Sequence, residues 1–124
     1  MRILVVDEEA MVREVIAELL LGADLRVRQA ANRAEALLEL RRWRFDVLVC
    51  HLSILREEGG QLALESRRRR PRPWVVAMSA SGIKAELDEA DVSLSKPFTR
   101  AQLVGAIRNE PSPPYRLIRP PEPH

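Results

Sequence analysis

Cysteine occurs once in the 124 residues, at Cys50. That excludes an internal disulfide and a multi-cysteine zinc site, and it suits a reducing compartment. No apolar run approaches the roughly 18 residues of a membrane span. No secretory leader pattern precedes "MRILVVDEE", so a cytoplasmic protein with no membrane partner is expected. Aromatics are scarce, at 4% of the chain, and none interleaves the basic run Arg67–Arg70. That run suits a helix end, where cations meet the macrodipole and solvent, and no nucleic-acid partner is expected. The net charge of +2 is small, and nearly all the basic residues are arginine. What remains is a chain that is 46% apolar and 31% charged, enough to bury the core of one globular domain.

The apolar residues fall into alternating patterns. "RILVV" (2–6) is a continuous branched run, as a strand buried on both faces should be. Met11, Val12, Val15, Ile16, Leu19 and Leu20 then recur at helical spacing, so a helix is expected from Glu9 to Leu21 with Gly22 as its C-cap. "DLRVRQ" (24–29) alternates like an edge strand. Asn32 opens a second helix with a capping-box-like "NRAE". "DVLVCH" (46–51) is the third strand, and a helix near 58–69 follows, ending in the arginine run. Pro71 and Pro73 precede a fourth strand, "WVVAMS" (74–79). "IKAELDEA" (83–90) is a short fourth helix, "VSLS" (92–95) a fifth strand, and "TRAQ" from Thr99 opens a helix reaching about Arg108. The remainder holds six of the nine prolines and reads as an extended tail or linker. The expected division is a domain over 1–109 and a proline-rich tail over 110–124.

Strands alternating with helices predict a five-stranded, doubly wound parallel sheet, (βα)5, covered on both faces. In such folds functional groups collect at the carboxyl ends of the strands near the topological switch point. That rule selects Asp7, Glu8 and Glu9 after the first strand, His51 after the third, Ser79 after the fourth and Lys96 after the fifth.

Taken in order, "ILVVDEE", "FDVLVCHLSI" with Gly59, "VVAMSA" and "LSKPF" resemble the receiver domain of bacterial two-component response regulators over residues 1 to about 109. The resemblance implies a flavodoxin-like fold with strand order 2-1-3-4-5 and a signalling role rather than an enzymatic one. It implies that Asp7 and Glu8 match the family's acidic pair, Ser79 its hydroxyl and Lys96 its lysine. His51 falls on the place of the aspartate that accepts a phosphoryl group. Other departures accompany it. Glu8 is longer than the usual second acid, Leu55 stands where a proline is usual, and Ser93 takes the place of the aromatic switch residue. The stretch from Ser79 to Lys96 is also short, so the fourth helix should be stunted.

These changes touch nucleophile, metal and readout together. The expectation is therefore an atypical pseudo-receiver that has no cofactor, is not an enzyme, and regulates a protein partner without phosphorylation. Its alternatives are a regulator phosphorylated by an unusual route and a regulatory segment leading through the tail to an output domain. A homodimer is compatible with the sequence. For His51 the leading expectation is an imidazolium that neutralises the acidic pocket with Lys96. Its competitors are a phosphoacceptor histidine and a transition-metal site with Asp7 and Glu8. Cys50 should face the opposite side of its strand, and Trp43 and Trp74 should pack, an exposed one marking a contact surface.

Overall fold

The computed structural model describes residues 1–22, 24–80, 82–108 and 116–117. The elements run β1 (Arg2–Val6), α1 (Ala10–Leu19), β2 (Arg26–Ala30), α2 (Arg33–Arg42), β3 (Val47–His51) and α3 (Leu52–Arg68). After them come β4 (Trp74–Ser79), β5 (Val92–Ser95), α4 (Arg100–Ile107) and β6 (Arg116–Leu117). The first five strands are parallel in the order β2-β1-β3-β4-β5, as expected. Both faces are dry. Leu4, Val6, Leu48 and Cys50 meet α2 and α3, whereas Ile3, Val5, Val49 and Met78 meet α1 and α4. A parallel sheet buried on both sides must read as unbroken apolar runs, which is why these strands are plain in the sequence. No helix among the described residues is long and apolar enough to cross a membrane.

The helix ends follow local chemistry. Asn32 Oδ1 accepts from the Glu35 amide at 2.9 Å, and Thr99 and Gln102 form a reciprocal capping box. At the other end of α3, the Arg70 guanidinium donates to the carbonyls of Arg67 and Arg69, each at 2.9 Å, so the arginine run closes a helix as expected. α1 stops sooner than its periodicity suggests, with Leu20 rather than Gly22 as its C-cap.

Three expectations need correction. α3 starts directly after β3 rather than near residue 58. It is interrupted at Glu57–Gly60, where Glu58, Gly59 and Gly60 take φ of 50°, 66° and 85°. Two adjacent glycines make such a left-handed break inexpensive. Second, residues 83–90 are irregular with a single turn at 87–89, not the short helix expected. Ile83 and Leu87, the apolar positions that would sit on one helix face, are both exposed. Only the small Ala85 and Ala90 of this segment reach the core. Third, part of the expected linker joins the sheet: Arg116 and Leu117 pair antiparallel with Ser93 and Val92 of β5. The rest of the tail lies outside the described residues.

Candidate functional site

Strand order places the switch point between β1 and β3, whose connections leave in opposite directions. Register pairs Val6 with Cys50, so the next residues, Asp7 and His51, leave adjacent strand ends. Ser79 closes β4 opposite Ser95, and Lys96 follows, its amide donating to the Ser79 carbonyl at 2.8 Å. The sheet therefore delivers Asp7, His51, Ser79 and Lys96 to one end, as expected. Their side chains are occupied, however, in ways the sequence did not disclose.

Asp7 is the anchor. It is 2% exposed, its Oδ1 accepts from the Glu9 amide at 3.0 Å, and its Oδ2 accepts from Lys96 Nζ at 3.1 Å. A carboxylate removed from water needs such partners, and this pair supplies both charge and hydrogen bonds. Arg13, a residue that sequence reasoning passed over, reaches back from α1 to donate to the Asp7 carbonyl at 2.6 Å. No motif marks it, since its partner is main chain. Glu8 is exposed, with no hydrogen bond or ion pair among the described residues.

His51 does not join that network. Its Nδ1 accepts from the Ser53 amide at 3.2 Å and lies 2.8 Å from Ser53 Oγ, which makes it the N-cap of α3. Nδ1 thus faces Ser53 on its own helix start, not the Asp7 carboxylate. The ion pair with Asp7 is made by Lys96. Cys50 points the other way, fully buried, and desolvation pushes its thiol well above the ordinary value, with Asp7 and Glu57 adding to the rise.

The hydroxyl positions are tied to the connection between β4 and β5. Ser79 Oγ donates to the Ile83 carbonyl at 2.6 Å, and Ser93 Oγ accepts from the Ala85 amide at 3.2 Å. From α3, Arg56 clasps Glu89 through two hydrogen bonds, the Nη2 bond being 3.0 Å. Position 93, where the resemblance implies an aromatic switch, is thus an inward hydroxyl holding a loop. Leu55, at the place of the usual proline, is fully buried.

Magnesium, the ion the resemblance implies, needs several hard oxygen ligands from this end of the sheet. Both Asp7 oxygens are engaged by protein donors, Glu8 is directed to solvent, and His51 offers nitrogen only. The donor set does not fit. Among the described residues no group of three His, Cys, Asp or Glu side chains could hold a metal ion. That includes the transition-metal trio of Asp7, Glu8 and His51.

Beside this end lies an open groove of about 730 Å³ between α1 and the start of α4. Met11, Val12, Val15 and Leu19 form one wall; Pro97 and Phe98 stand opposite, with His51 and Lys96 at its mouth. Met11 is 78% exposed and Val15 54%, a large apolar display for helix positions.

Comparison with known proteins agrees with this architecture. No curated protein matches the sequence. A receiver domain from Clostridium thermocellum superposes with a TM-score of 0.71 at 25% identity, covering 88% of this chain and 92% of its own. A response regulator from Chloroflexus aurantiacus, described as putative, gives 0.75 at 28%, covering 88% and 95%. The response regulator TrrA of Thermotoga maritima, solved with magnesium and beryllium fluoride, gives 0.73 at 25%, covering 86% and 96%. The family model for the response regulator receiver domain matches residues 3–108. With that span, this strand order and these strand-end residues, the chain belongs to the response regulator receiver domains of two-component signalling.

Proposed function

We propose that this receiver acts by phosphorylation-independent contact with a protein partner. The observation that carries the reading is the engagement of the pocket. His51 caps α3, Asp7 is saturated by Lys96 and the Glu9 amide, and the Ser79 hydroxyl is held by Ile83. Transfer of a phosphoryl group to a side chain needs a free nucleophile and positioned countercharge. His51, Asp7, Ser79 and Lys96 each have a protein partner instead. Asp7, Ser79, Ser93 and Lys96 are then structural residues of a closed pocket, with Glu8 outside it in solvent. The groove beside α1 supplies the apolar area for a partner. The β5 edge, in contrast, is occupied by β6. Residues 1–109 form the binding unit, and 110–124 a tail.

The test is intact-mass measurement after incubation with acetyl phosphate and magnesium. No added phosphoryl is expected. An adduct that vanishes on His51→Ala would overturn the reading and favour the unusual-acceptor alternative.

A further inference from the structure

At the opposite end of the sheet, β1 and β2 begin with Arg2 and Arg26 paired in register. Parallel strands in register project such side chains from the same face, about 5 Å apart at the backbone. Arg28, two residues on, shares that face, and α2 ends above them in Trp43. The four residues and Phe45 line a concavity of about 200 Å³. The Arg2 and Arg28 guanidinium carbons lie 5.1 and 5.2 Å from the Trp43 ring centroid, which orients both groups.

The charges in this concavity do not balance. Arg28 has its fork filled by Glu39, with the Nη2 bond at 2.9 Å. Asp46 is near, but its Oδ2 takes the backbone amide of Arg2 at 2.7 Å. Asp24 pairs with Arg108, and the N-terminal ammonium donates to the Asp24 carbonyl. Among the described residues, neither the Arg2 nor the Arg26 guanidinium has an ion-pair partner or a hydrogen-bond acceptor. Like charges directly across a strand pair are destabilising, and among the described residues no carboxylate is paired with either guanidinium. A guanidinium held against an indole also keeps its in-plane N–H donors free for a bidentate acceptor.

We propose that this concavity is a binding site for a phosphate-bearing small molecule, chelated by Arg2 and Arg26 and walled by Arg28 and Trp43. Two unpaired guanidiniums match the charge of a phosphate dianion or monoester, and their planar forks match its oxygens. The site is separate from the pocket at Asp7, which lies roughly 15 Å away at the far end of the five-residue β1.

The experiment follows the arginine Nε–Hε and Trp43 indole signals by NMR in the full chain. It titrates inorganic phosphate and glycerol phosphate against chloride at matched ionic strength. Saturable shifts at Arg2, Arg26 and Trp43 are expected with both phosphates. Tighter binding of glycerol phosphate would identify an ester as the ligand, and tighter binding of inorganic phosphate the free anion. Arg2→Gln and Arg26→Gln should each weaken binding about tenfold, while Arg69→Gln at the end of α3 should leave it unchanged. Thermal melting adds an independent readout. Without phosphate and at low salt, Arg26→Gln should be at least as stable as the wild type, because a repulsion is removed; with phosphate the order should invert. Shifts that follow ionic strength alone, affinity indifferent to both substitutions, or a stability order that ignores phosphate would overturn the proposal.

Discussion

At the scale of single residues, the decisive fact is that His51 has a structural task. Accepting from the Ser53 amide, it satisfies one of the donors that every helix start leaves open. His51→Ala should therefore lower stability by about 1 kcal/mol, the ordinary cost of a lost cap. Aspartate is a better cap than histidine, so His51→Asp should fold at least as well while restoring a carboxylate beside Asp7. Its chemistry should still recover only in part. Lys96 and the Glu9 amide hold both Asp7 oxygens, and Ser79 must release Ile83 before it could bind a phosphoryl oxygen. Misplacement by an ångström can cost a factor of about 100 in rate. Labelling of His51→Asp by acetyl phosphate should be slower than that of an intact receiver by about that factor. Little change should occur in the amide shifts of residues 83–108. A rate like the family's with a large shift there would show that the switch survives.

Between elements, the connection from β4 to β5 has exchanged a helix for a set of tethers. Its sequence has helical propensity, yet the polar partners that surround it decide the outcome: the Ser93 hydroxyl, the Ser79 hydroxyl and Arg56. The hydrogen bond from Arg56 holds the Glu89 carboxyl below its usual range, although burial works against it. A depressed acid stabilises the fold above its unfolded value, near 4.3, and that contribution is lost as pH falls through the folded value. Glu89→Gln should thus cost up to about 1 kcal/mol at neutral pH, as expected of an ion pair still open to solvent on its Arg56 side. The difference between variant and wild type should shrink below about pH 4 in urea titrations. A difference that stays constant with pH would mean that the ion pair does not contribute.

Across the whole molecule, what was readable in the sequence is what depends on local pattern. Buried strands appear as branched apolar runs and helix starts as caps, so strand positions and the strand-end residues were accessible, while the strand order came only from the resemblance to receiver domains. The orientation of side chains at those ends was not accessible, because it depends on partners distant in sequence: Lys96 lies 89 positions from Asp7. The irregular course of 83–90 escaped for the same reason. So did Arg13, whose partner is a carbonyl. The tail illustrates a further limit, since a strand of two residues carries no period. Removing the chain beyond Arg108 should leave the fold intact and lower stability by about 1–2 kcal/mol, the worth of a short ladder. Amide exchange at Val92 and Ser93 should quicken. Unchanged exchange there would mean that β6 does not persist in solution.

The added strand also gives the sheet two unlike borders. On one side β5 is already paired, by a segment of its own chain. On the other, β2 has no further strand among the described residues, and it presents Arg26 and Arg28. Open strand borders invite runaway stacking of one molecule on the next, and proteins commonly blunt them with cover or with charge. This chain uses cover at one border and charge at the other. A second copy approaching edge to edge would meet either an occupied ladder or like-charged arginines, so growth into an extended sheet is discouraged in both directions.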